Sequence, residues 1–140
     1  MALQTLYAME FTKTGVEDAV ETMRERASEP PSEDAEVATM VRGGAEVQTF
    51  AEKLVRGVAE HLEAIDALLS QCSTNWKVPR MAAVDRNILR MATFELRYLN
   101  DIPPKVTLNE AIEIAKRYGS VDSSAFINGI LDRVASLKRP

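Results

Sequence analysis

Residues 84–132 carry apolar side chains at helical spacing in three successive runs, broken once by Pro103-Pro104 and once by Gly119. The first run reads Val-Asp-Arg-Asn-Ile-Leu-Arg-Met-Ala-Thr-Phe-Glu-Leu, the second Asn-Glu-Ala-Ile-Glu-Ile-Ala-Lys-Arg-Tyr, the third Phe-Ile-Asn-Gly-Ile-Leu-Asp. A stripe repeating every three to four residues buries one face of a helix and cannot serve a strand, whose faces alternate every two. About a third of the chain is thereby committed to packed helices.

The rest follows the same period. Leu3, Leu6, Tyr7 and Phe11 mark a first amphipathic helix, ended by Thr14-Gly15. Val16, Ala19, Val20 and Met23 share one face of a second. Ser28-Glu29-Pro30-Pro31-Ser32-Glu33-Asp34 is the strongest breaker in the chain and predicts an exposed loop. A third helical region is expected from about Ala35, with a break at Gly43-Gly44, resuming through Phe50, Leu54, Val58 and Leu62 and continuing through Ile65, Leu68 and Leu69 to Gln71. Residues 72–77 are polar and end it. Pro79 is expected to open the next helix, where a missing N–H costs least. Val84, Ile88, Met91, Ala92, Leu96 and Leu99 form that helix's stripe. Leu108, Ala111, Ile112, Ala115 and Tyr118 mark the following one, and Ile127, Ile130, Leu131, Val134 and Leu137 the last. The expected fold is all-α, with six to seven helices in two packed three-helix bundles. Residues 1–140 then form a single domain, divided into N-terminal helices over 1–71 and a C-terminal bundle over 78–138.

With 140 residues and 46% hydrophobic content, the chain is long enough to bury about two-thirds of its unfolded surface. A net charge of −4 gives no global basic field, so any nucleic-acid binding needs a local patch or positive charge from a partner. Cys72 is the sole cysteine and His61 the sole histidine, which excludes an intrachain disulfide and a His/Cys metal cluster. No apolar run approaches the ~20 residues of a membrane span, and a cytoplasmic location is expected. Neither a Gly-rich phosphate loop nor a supported Ser-His-Asp set is present, so no enzyme activity and no cofactor are expected. Glu60, His61 and Glu63 read as a polar helix face.

The three ordered runs after Val84, together with Ala2-Leu3-Gln4-Thr5-Leu6-Tyr7 and Leu54-Val55-Arg56-Gly57-Val58, resemble the NusB family of transcription antitermination factors over nearly the whole chain. The resemblance implies a non-catalytic RNA-binding adaptor. With the small-subunit ribosomal protein also called NusE, it would hold a boxA-like single-stranded RNA of ribosomal RNA operons near the RNA polymerase elongation complex. The family also implies an Arg-rich stretch ahead of the Ala-Leu-Gln helix. Here Met1 directly precedes Ala2, so either the start lies inside a longer protein or the chain borrows charge from its partner. Under either alternative, RNA affinity of this polypeptide alone is expected to be weak, weaker than the resemblance suggests.

Individual residues carry two readings each. Phe126, at the edge of the last stripe, is a core aromatic or, by the resemblance, a stacking platform for an unpaired base. Asp122 reads as an N-cap of the last helix; the resemblance places it near RNA, where a carboxylate weakens phosphate binding. Lys105, Lys116 and Arg117 are a solvated face or, with Tyr7 and Phe126, a modest RNA patch if the first and last helices pack together. By the resemblance, Asp85 takes an acidic position on the face that receives the basic ribosomal protein, and Arg86 belongs to the same partner surface. Arg86 or Arg90 can equally pair with an acidic neighbour inside the bundle. Gly129 reads as a point where another helix approaches closely, with Asn128 bonding across the contact.

Two other functions remain open. One is a purely protein-binding helical module or homodimer that has lost RNA recognition. The other is the accessory domain of an RNA methyltransferase, which would need a cofactor-binding domain elsewhere.

Overall fold

A computed structural model describes residues 2–12, 15–27, 41–73 and 77–137, apart from the side chains of residues 11–12, 26–27 and 41–47. Among the described residues there are seven α-helices and no strands: α1 (Ala2–Thr12), α2 (Val16–Ala27), α3 (Val41–Glu60), α4 (Leu62–Cys72), α5 (Ala83–Tyr98), α6 (Pro104–Tyr118) and α7 (Ser123–Ser136), with a 3-10 turn at Val78–Arg80. The all-α expectation holds. The proposed loop at residues 28–34, the helix start near Ala35 and the Phe11 side chain lie outside the described residues.

The chain separates into two compact units, Met1–Arg56 and Gly57–Pro140. In the first, α1 buries Ala2, Leu3 and Leu6 while α2 buries Ala19, Val20 and Met23, the stripe its period predicted. Tyr7 departs from the expected buried face and is 41% exposed. Two ion pairs tie α2 to α3, Arg24 with Glu52 and Arg56 with Glu17. The Arg56 guanidinium holds the Glu17 carboxyl below the usual carboxylate range. The helix continues through Gly43-Gly44, where a break was expected. Each glycine costs a helix about 1 kcal/mol, but extending a helix already nucleated by a long amphipathic run is far easier than starting one.

In the second unit α5 is the central element, buried on nearly every side from Asn87 to Leu96, and packed against α4, α6 and α7. Because Ile65, Leu69 and Cys72 bury their side chains there, α4 belongs with this unit, and the division of the chain falls within α3 rather than at residues 72–77. The helical run through Leu62 is also interrupted, by a one-residue turn at His61 (φ −109°, ψ 17°). Backbone bonds from His61 N–H to the Gly57 carbonyl (3.0 Å) and from Ile65 N–H to the His61 carbonyl (2.8 Å) carry the ladder across it. The His61 ring stacks on Tyr98, centroids 4.1 Å apart, so this histidine is more than part of a polar face.

Pro79 does not open α5. It sits in the 3-10 turn, after which Met81 and Ala82 run extended, and α5 starts at Ala83. Val78 and Met81 are buried, and seating both requires this bend before the helix. The close helix approach expected at Gly129 is also corrected. Gly129 has nothing within 4 Å of a built Cβ among the described residues, leaving Asn128 no such contact to bridge. The tight glycine is Gly57, which faces the ring of Phe94.

Candidate nucleic-acid and partner interface

Helices α5 and α7 both begin beside one cleft of about 350 Å³, whose lining includes Arg80, Met81, Asp85, Ser120, Asp122 and Phe126. Asp85 stands in the first turn of α5 and Asp122 at the N-cap of α7. Both carboxylates therefore face the partially positive end of a helix, the placement that favours a negative charge.

Asp85 is only 9% exposed, and its Oδ1 is buried without a hydrogen-bond partner among the described residues. The neighbouring guanidinium groups of α5 are occupied elsewhere. Arg86 Nη1 donates to the carbonyls of Val78 (3.3 Å), Pro79 (3.3 Å) and Met81 (3.1 Å), clamping the turn that forms one wall of the cleft. Arg90 forks the Asp66 carboxylate through Nε (2.9 Å) and Nη2 (2.8 Å). The pairing expected of Arg86 or Arg90 is made by Arg90, while Arg86 holds the turn.

The N-cap reading of Asp122 is half right. Its backbone carbonyl accepts from Phe126 N–H (3.1 Å), but its carboxylate makes no capping bond. The hydroxyl of buried Ser123 does the fastening, accepting from Ser120 N–H (2.9 Å) and lying 3.1 Å from the Ser120 hydroxyl. The Asp122 carboxylate is left exposed at the cleft. Phe126 is half-buried, neither a full core residue nor a free platform.

The structure brings Asp85, Asp122 and Phe126 together. Lys116 and Arg117 occupy the last turn of α6, which leads through Gly119 and Ser120 to the same end of the bundle. Lys116 is not without an opposite neighbour, since Glu113 lies 3.8 Å away, but both are exposed and such a pair contributes little. Lys105 sits in the first turn of α6, about 16 Å from Lys116 at 1.5 Å per residue, toward the opposite end. Tyr7 is exposed on α1 in the first unit.

Arg80 and Ser120 escaped sequence reasoning. Their signal was position: each lies in the short segment before a helix that carries an aspartate at its first turn (Asp85) or its N-cap (Asp122).

The NusB family matches this chain over residues 1–136. The chain belongs to the NusB family. Transcription antitermination protein NusB of Anaeromyxobacter dehalogenans is 47% identical over 135 residues, covering 96% of this chain and 85% of that protein. The protein of the same name from Myxococcus xanthus is 42% identical over 140 residues, covering 99% and 93%. Among solved structures, T. maritima NusB superposes with a TM-score of 0.78 at 38% identity, over 99% of this chain and 88% of that one. NusB in a crystal structure of the antitermination factors NusB and NusE with double-stranded RNA shares the fold, with a TM-score of 0.74 at 22% identity over 96% and 89%. No helix among the described residues is long and apolar enough to cross a membrane.

Proposed function

We propose that this chain is a non-catalytic antitermination factor of the NusB type, acting in the cytoplasm. It binds boxA-type single-stranded RNA of ribosomal RNA operons jointly with the NusE-type ribosomal protein, close to the RNA polymerase elongation complex. The observation that carries the reading is the cleft at the starts of α5 and α7, where Asp85, Asp122 and a half-exposed Phe126 converge in a chain of this family.

The mechanism is composite. Phe126 offers a face for stacking an unpaired base. Lys116 and Arg117 at the same end, with Arg80, meet phosphates, while Asp122 opposes them. Asp85 and the turn clamped by Arg86 form the wall nearest the basic partner. With two carboxylates among the lining groups, the chain alone holds RNA weakly, and the partner supplies the missing positive charge.

Fluorescence anisotropy of a labelled boxA-type RNA tests this, titrating the chain with and without the NusE-type protein at two salt concentrations. Tighter binding with the partner than either protein achieves alone, weakened by salt, supports the adaptor. Association of the two proteins with no gain in RNA affinity leaves only a protein-binding module.

A second reading draws on Val121, 97% exposed beside Asp122, and on Tyr118, 50% exposed. Two copies of this chain burying these side chains would form a homodimer that covers the RNA end. Sedimentation analysis with and without RNA separates the readings, since RNA should dissociate such a dimer.

A further inference from the structure

We infer that the outward side of α6 is a docking surface for a basic helix of a protein partner, with Glu110 and Glu113 receiving its cationic side chains. This surface shares no residue with the cleft at the starts of α5 and α7, and the inference stands apart from RNA binding.

A shallow groove of about 400 Å³ follows α6, lined by Asn109, Glu110, Glu113 and Ile114. Val106, Glu110 and Glu113 recur at helical spacing, turned from the face that buries Thr107, Ala111 and Ala115. Val106 is 43% exposed there and Ile114 is half-buried, so apolar surface flanks the two carboxylates.

These carboxylates are short of counter-charge. Glu110 makes no side-chain hydrogen bond or ion pair among the described residues. Glu113 has Lys116 at 3.8 Å, but both are exposed and such a pair contributes little. Behind Glu110, Glu95 of α5 is only 6% exposed, and its carboxyl also lacks a partner among the described residues. Burial and the charge of Glu110 push that carboxyl up to about 7. A cation arriving at Glu110 relieves the crowding of negative charge at both residues.

The surroundings select the occupant. A nucleic acid would bring phosphates against carboxylates and be repelled. A divalent ion asks for about six oxygen ligands, and no group of three acidic, histidine or cysteine side chains gathers to hold one among the described residues. An arginine or lysine uses the groove as it stands, its methylene stem on Ile114 and its head at Glu110. Glu110 and Glu113 are about 4.5 Å apart along the α6 axis at 1.5 Å per residue. Basic residues at i and i+3 of a helix packed alongside have the same rise.

The test uses the full chain and a labelled helical peptide whose one face repeats arginine and leucine a turn apart. Fluorescence anisotropy should show binding that salt weakens. In Glu110→Gln/Glu113→Gln the affinity should fall about threefold to tenfold. In Glu21→Gln/Glu25→Gln, which removes the same charge from α2, it should fall about twofold or less. Amide NMR shifts of the unaltered chain should centre on residues 106–114 when peptide is added, a readout that needs no variant to fold. Equal losses in the two variants, or shifts centred elsewhere, mean undirected charge attraction and overturn the inference. If Glu110→Gln/Glu113→Gln weakens the NusE-type ribosomal protein but not the peptide, the groove belongs to that contact and the inference fails. Self-association of the chain that this variant abolishes would put a second copy in the groove and overturn it as well.

Discussion

Gly57 packs so closely on the ring of Phe94 that a Cβ added to the glycine would overlap the ring edge. The ring has little room to yield, because Phe94 is buried and Tyr98 stacks beside it with centroids 5.5 Å apart. Gly57→Ala should therefore destabilise the protein by about 1–3 kcal/mol despite the better helix propensity of alanine. Thermal unfolding checks it. The double variant Gly57→Ala/Phe94→Leu should recover part of the loss, because the overlapping ring atoms are gone; a purely additive pair would contradict the steric account.

A second consequence concerns pH. Burial, reinforced by Glu110, pushes the Glu95 carboxyl from its ordinary 4.5 up to about 7. The folded state then binds this proton more tightly than the unfolded chain does. Its contribution is complete below about pH 4.5 and is lost as pH rises toward 7, so this group destabilises the fold at neutral and alkaline pH. After allowance for partial solvent screening, the loss is on the order of 2 kcal/mol. Glu95→Gln should remove that slope and raise the urea midpoint at pH 8 more than at pH 5; an identical gain at both pH values would refute the assignment.

At the start of α7 the two candidate caps separate cleanly. Ser123 holds the loop through its hydroxyl, whereas the Asp122 carboxylate bonds nothing in the helix. Ser123→Ala should cost about 1 kcal/mol, and Asp122→Ala only a few tenths. Asp122→Asn should keep stability and bind RNA about twofold to fivefold more tightly at low salt, since a charge opposing phosphate is removed. Denaturant melts and a salt-controlled RNA titration test the two halves independently.

Arg133 of α7 reaches across the bundle and donates to the Cys72 carbonyl (2.7 Å), one of those that the end of α4 leaves without an intrahelical partner. Arg133→Met keeps the aliphatic packing and removes the bond and the charge at that helix end. The expected loss is about 1 kcal/mol, read as a lower unfolding midpoint.

The period of apolar residues was enough to find the second unit's core, because Ile88, Met91, Leu96, Ile127, Ile130 and Val134 all obey it. It was silent wherever the answer depended on what stands opposite. Gly57 and Gly129 are both glycines within helices, but only one has a ring against it, and no spacing rule names a partner across the bundle. Pro79 carried a correct local signal for a first-turn position. The burial of Val78 and Met81 decided that the turn would be a separate 3-10 segment. Family resemblance singled out Asp85, Asp122 and Phe126, which the fold gathers at one cleft. It gave no hint of Arg80, whose place follows from the bend that Pro79 and Met81 impose.

That bend sets the thermodynamics of recognition. Arg86 reaches back from α5 to hold the carbonyls of Val78, Pro79 and Met81, so the segment bearing Arg80 is ordered by folding itself. Its backbone entropy is lost before any ligand arrives, and a ligand that settles against this wall encounters a surface already in its final form. Affinity gained there is not diminished by a penalty for ordering the backbone.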